Sequence, residues 1–194
     1  MAEQKIPWIS GVLDRISKRL EEMSSGERAV LRRMRREGTT EAAGVLIPLL
    51  YRAGIGHEVL GNSEELRRWA RIVQVMALLS GTQGRAVQAP GRTDEGKVIA
   101  ARDLGQALRE ADWSETRMMR LASARGPALA GLLTPMARYL AGKARLPLDL
   151  SPLAELVRWD GRDGKRAEAA RLKLATGYFA RVADETSSEP EDTE

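Results

Sequence analysis

The apolar positions of this chain recur at helical spacing along most of its length. Ile9, Val12, Leu13, Ile16, Leu20 and Met23 fall three and four residues apart, which predicts one buried stripe on a helix over residues 6–23. Pro7 suits its first turn, where the missing N–H costs nothing, and Trp8 is expected in the core. Next comes SSGERAVLRRMRREG, residues 24–38. Ser24 stands three residues before Glu27, the spacing of a capping box, and Gly38 is placed to end the helix in a left-handed cap. Ala29, Val30, Leu31 and Met34 form its apolar stripe. Pro48 predicts a break into two short helices at 41–46 and 48–53, since proline removes a backbone donor and crowds the preceding turn. Asn62 and Glu65 repeat the capping-box spacing and open the strongest core helix, with Leu66, Trp69, Ile72, Val73, Met76, Ala77 and Leu79 facing inward and Gly81 at its end.

Residues 81–97 are rich in Gly and Pro without apolar periodicity and read as a long internal loop. Helical spacing returns over 98–110, from Ser114 to Arg125, from Gly126 to about Lys143 with a disturbance at Pro135, and over 154–159. A last helix over 165–183 is expected to bury Ala169, Leu172, Leu174, Tyr178 and Phe179. The pattern predicts an all-α protein: a compact helical bundle in two small lobes, 1–81 and 98–183, joined by the flexible loop 82–97. Residues 184–194 have the composition of an acidic, disordered tail.

Composition narrows the chemistry. There is no cysteine and one histidine, His57, which removes disulfides, thiolate or polyhistidine metal sites and any triad pairing His with a Cys nucleophile. His57 itself reads as a surface turn residue. The paired acids Glu64 and Glu65 suit a helix N-terminus, and Asp160 with Asp163 misses the spacing of a calcium loop. No catalytic residue, metal or cofactor is therefore expected. No apolar run has the length of a membrane span, and MAEQKIPWIS lacks a secretory core, so the expectation is a cytoplasmic protein. Net charge is +4, yet the last eleven residues carry six acids and no base, so the body holds 31 basic residues against 21 acidic ones. That surplus favours a polyanionic partner.

The arginines concentrate first on the 24–38 helix, where Arg28, Arg32, Arg35 and Arg36 share a face and Arg33 lies beside them. Two readings compete there: a solvated helix face and a phosphate-binding surface. A second signal lies in DLGQALREADWSETRMMRLASARG, where a helix, a turn and a basic helix succeed one another as in a helix-turn-helix regulator, with Thr116–Ser123 as recognition helix. A third reading is a protein–protein adaptor whose arginines meet an acidic partner.

Taken in order, GERAVLRR, RRWARIVQVMALLSG, LGQALREADWSETRMMRLASARG and LAELVRWDG resemble the CasB family, the small subunit of the type I-E CRISPR surveillance complex Cascade. The likeness runs in pieces from about Gly26 to Phe179. It is densest over Leu104, Gly105, Ala107, Leu108, Ser114, Glu115, Arg117, Leu121, Ala124, Arg125 and Gly126, with Gln106 where an arginine is common and Asp112 where a glycine is common. The resemblance implies an all-helical, non-catalytic subunit, present as a pair of copies. It would brace the crRNA-bearing backbone and the large subunit and offer basic surface to the displaced strand of the target DNA. It also implies phosphate contacts at Arg32 and Arg33, the family's paired basic position, and at Arg117 and Arg125. Arg28 and Arg36 join the expected set from the helical face alone.

Overall fold

The computed structural model describes residues 7–34, 42–81, 91–92, 98–99, 101–143 and 147–186. Among them are ten helices: α1 (Pro7–Glu22), α2 (Ser25–Arg33), α3 (Ala43–Arg52), α4 (His57–Leu60), α5 (Ser63–Leu79), α6 (Leu104–Glu110), α7 (Glu115–Ser123), α8 (Gly126–Ala141), α9 (Ser151–Trp159) and α10 (Gly164–Thr186). Four two-residue strands complete the described elements. β1 (Gly91–Arg92) pairs antiparallel with β2 (Val98–Ile99), and β3 (Arg102–Asp103) runs parallel to β4 (Leu148–Asp149). The protein is all-α in substance.

The centre of the bundle is α5. Its apolar residues are too broadly distributed for a single face, and Trp69, Val73, Met76 and Ala77 are all fully buried. Around it pack α8, α2, α9 and α1, so one core runs from Ile9 to Tyr178 and joins the segments on either side of the Gly/Pro-rich stretch. The α1 stripe lies where its spacing places it, with Val12, Leu13, Ile16 and Leu20 inaccessible. The α2 capping box forms as well: the Ser24 hydroxyl accepts from the Glu27 N–H at 3.2 Å, and the Ser24 N–H donates to the Glu27 carboxylate at 2.8 Å.

Several expectations are corrected. Pro48 does not split α3, and Pro135 does not break α8. Each proline is exposed on the outer side of its helix, and the residue four before it is a glycine, Gly44 or Gly131. The carbonyl deprived of its donor therefore has no side chain crowding it, and exposed Gly44 leaves its own open to water. Among the described residues of 98–103 none is helical: Val98–Ile99 and Arg102–Asp103 are strands, and α6 starts only where the Asp103 carboxylate caps the Gln106 N–H at 3.1 Å. In α10 the buried positions are Ala167, Ala170, Arg171, Leu174 and Tyr178. Ala169 and Leu172 lie out of phase with them, and Leu172 is 68% exposed. Trp8 is not core either, being 40% exposed. The backbone of α10 continues to Thr186, three residues into the segment expected to be disordered; residues 187–194 lie outside the described ones. So does most of the 82–97 loop.

Where α6 crosses α10 the helices touch backbone to backbone. A Cβ on Gly105 would overlap the Leu174 carbonyl and the Tyr178 amide, and one on Gly177 would overlap the Asp103 carboxylate that caps α6. Gly105→Ala should therefore force the helices apart and cost on the order of 1–3 kcal/mol. A urea titration checks this against Gly142→Ala, a position with open space around it, which should leave the midpoint nearly unchanged.

Candidate nucleic-acid interface

The arginines of α2 divide by environment. Arg28 is turned inward and is only 7% exposed. Its guanidinium donates to the carbonyls of Leu20 at 3.1 Å and of Met23, closing the C-terminal end of α1. The charge expected on the open face is spent on a neighbouring helix. Arg32 is half-buried, and Arg33 is exposed with its Nε donating to the Ala29 carbonyl at 3.1 Å. Neither forms an ion pair with another described residue. The helix ends one turn earlier than the sequence suggests, because Gln74 of α5 donates to the carbonyls of Arg32 at 3.3 Å and Met34 at 2.6 Å, and Met34 is already extended. Arg35, Arg36 and Gly38 lie outside the described residues, so the shared arginine face is seen only at Arg28 and Arg32, with Arg33 beside it.

The central block forms a helix, a tight turn and a second helix, α6 to α7. Asp112 occupies the place of the usual turn glycine and takes its left-handed conformation, φ 61°. Arg117 is exposed, with its guanidinium over the rings of Trp113 at 5.2 Å and Tyr139 at 5.9 Å. Arg125 donates to the carbonyls of Ala122, Ser123 and Ala124, so it caps α7, and it pairs with Glu168 at 2.6 Å. Both are half engaged, yet both reach the surface. They do not converge with Arg32 and Arg33: α2 lies against α5 and α3, and α7 lies against α10.

A larger concentration of cationic and aromatic groups sits where α1, α5, α9 and the start of α10 meet. In the sequence its parts look like a helix N-terminus, a turn and core. The Glu65 carboxylate, buried in α5, accepts from Arg162 and faces Arg68 at 3.4 Å and Arg158 at 3.8 Å. The capping box expected of Asn62 and Glu65 is thus half made: Asn62 caps the Glu64 and Glu65 N–H groups, while the Glu65 side chain turns to the arginines. Arg158 lies 4.8 Å from the Trp8 ring and 5.3 Å from those of Trp69 and Trp159. Burial holds its guanidinium below the usual arginine range, against the pull of Glu65. Arg166 and Arg162 lie over Trp159 at 4.4 and 5.5 Å. The signal that could have revealed the cluster is the spacing of Arg158, Arg162 and Arg166 around Trp159, four residues apart on either side of a turn.

Beside it, an open groove of about 430 Å³ runs between α5, α8 and α9, with Arg68, Arg71 and Arg125 at its rim and Leu129, Leu133 and Val157 on its floor. Asp160 closes one side, accepting from the Gly126 N–H at 2.5 Å and pairing with buried Arg171 at 2.6 Å. Carboxyls gather near the start of α9. Burial pushes the Asp14 and Glu155 carboxyls above their ordinary range and Asp149 adds to it, while Arg15 acts against it on Asp14, and Lys173 and Arg166 on Glu155.

Comparison with protein-family models, with curated proteins and with solved structures finds no match to this chain.

Proposed function

We propose that this chain is a small, non-catalytic subunit of a CRISPR RNA-guided effector complex of the Cascade kind. In that reading it braces the crRNA-bearing backbone and the large subunit, pairs with a second copy of itself, and holds phosphates of the displaced target strand without reading sequence. The observation that carries it is the pair Arg32 and Arg33: cationic, at the surface end of α2, unpaired with any described acid, and at the position where the resemblance to the CasB family asks for phosphate contact. An all-α scaffold with a basic body agrees with that role, since guide pairing supplies the sequence code and the protein needs charge and shape. No described helix is long and apolar enough to cross a membrane.

The test is the double variant Arg32→Ala, Arg33→Ala. Helix content should be retained, because alanine is the better helix former. Single-strand binding should weaken for every sequence, and the slope of log affinity against log salt should become shallower by about 0.7 for each phosphate no longer held. In the assembled complex the variant should join its partners but hold the R-loop open less well. Loss of assembly would place both residues at a protein interface, and an unchanged slope with normal assembly would leave them a solvated face.

A helix-turn-helix regulator is the second reading, favoured by the α6–α7 geometry and by the exposure of Thr116, Arg117, Arg120 and Ser123. Such a protein would prefer one duplex sequence by orders of magnitude, whereas the bracing subunit would show no preference.

A further inference from the structure

We infer that the Trp8–Trp159 seam is a second nucleic-acid contact, one that takes the bases of a single strand by stacking. The inference rests on the function proposed above and adds a site separate from Arg32 and Arg33. Of the four tryptophans, Trp69 and Trp113 are buried, at 0% and 7% exposure, while Trp8 and Trp159 reach the surface. Trp8 meets Trp69 edge-on at 6.1 Å between centroids and has Arg158 at 4.8 Å, and this support fixes its ring while 40% of the residue stays exposed. Trp159 has the same Arg158 guanidinium over its ring, so the two indoles flank one cation.

The charge fits the same ligand. Arg158 and Arg68 are buried with Glu65, whereas Arg162 and Arg166 have about half of their side-chain surface exposed. The acids that face these four arginines are Glu65, Glu64, Asp163, Glu155 toward Arg166 and, across the groove, Asp160, which Arg171 already answers. Arg166, whose ion pair with Asp163 is long at 3.4 Å, can leave the Trp159 ring for a phosphate while a base takes its place on the indole, an exchange of a cation–π contact for a stacking one, and Arg162 stays with Glu65. Stacking on an aromatic face is tolerant of base identity, as a displaced strand of arbitrary sequence requires.

The experiment compares binding of oligo-dT with binding of an abasic strand of equal length, which keeps the phosphates and lacks the bases. The full chain should bind oligo-dT about tenfold more tightly or better, and its tryptophan fluorescence should be quenched by oligo-dT and not by the abasic strand. Trp8→Leu with Trp159→Leu should abolish both the difference and the quenching, with helix content unchanged. Arg32→Ala with Arg33→Ala should weaken both strands equally and keep the difference. Equal binding of the two strands by the unaltered chain, or a preference that survives the tryptophan variant, overturns the seam. If in that case the salt slope still falls with the arginine variant, the proposed function stands and the seam alone is discarded. Binding of neither strand removes both. Should the double variant lose helix content, Trp8→Leu alone, at the more exposed position, is read by the same quenching.

Discussion

Glu65→Ala is expected to cost about 3–5 kcal/mol of stability, because it removes one partner from a buried ionic cluster and leaves the others facing each other. Arg68 and Arg158, each 8% exposed, would then be cations in low dielectric with Arg162 beside them. Burial already works against the charge on Arg158, and Glu65 is what opposes that effect. Some relief comes from the carbonyls of Arg158 and Asp160, which accept from Arg68 at 2.8 and 3.3 Å. Those bonds fix the Arg68 guanidinium against α9 and do not neutralise it, and the one acid left to it, Glu64 at 3.4 Å, is largely exposed, while Arg158 keeps none among its ion pairs. The midpoint of urea unfolding checks the cost. A loss below about 1 kcal/mol would mean that water reaches the arginines once the carboxylate is gone.

Trp69→Ala should be of similar size, about 3–5 kcal/mol, and for a different reason. The indole is fully buried in α5 at the heart of the single core, so truncation leaves a cavity walled by α1 and α9 as well as an unsupported Trp8 ring. Its N–H finds no acceptor among the described residues, so Trp69→Phe discards a polar group that contributes nothing and should cost far less. Thermal and urea unfolding of the two variants side by side separates the effect of volume from that of hydrogen bonding. Equal costs would show that the indole N–H has a partner.

The α1 stripe, the Ser24–Glu27 capping box and the burial of Trp69 could all be read in the sequence because each depends on neighbours within two helical turns. What could not be read depends on residues far along the chain. Arg28 looks like an exposed cation until the end of α1 supplies its carbonyls. Glu65 looks like a dipole-compensating acid until Arg158 and Arg162 arrive from more than ninety positions away. Leu172 looks like core because it is apolar, yet the phase of α10 is set by Leu174 and Tyr178 against α6. Gly105 of the LGQAL block has a local packing reason, the close crossing with α10, so that part of the resemblance reflects architecture as much as binding. For the candidate site, charge and aromatic content were visible in the sequence, while their convergence on one seam was a property of the fold.

The central position of α5 also sets a demand on biosynthesis. Its wide apolar surface is covered by α8 and α9, and α9 follows α5 in the chain by roughly eighty residues. At a synthesis rate of about 5–20 residues per second, α5 leaves the ribosome on the order of 4–16 seconds before its last cover exists. During that interval Ile72 and Val75, which pack with Leu133 of α8 and Leu153, Ala154 and Val157 of α9, lack those partners. Until then α1, α2, α3 and α4, which precede α5 in the chain, shelter its other sides.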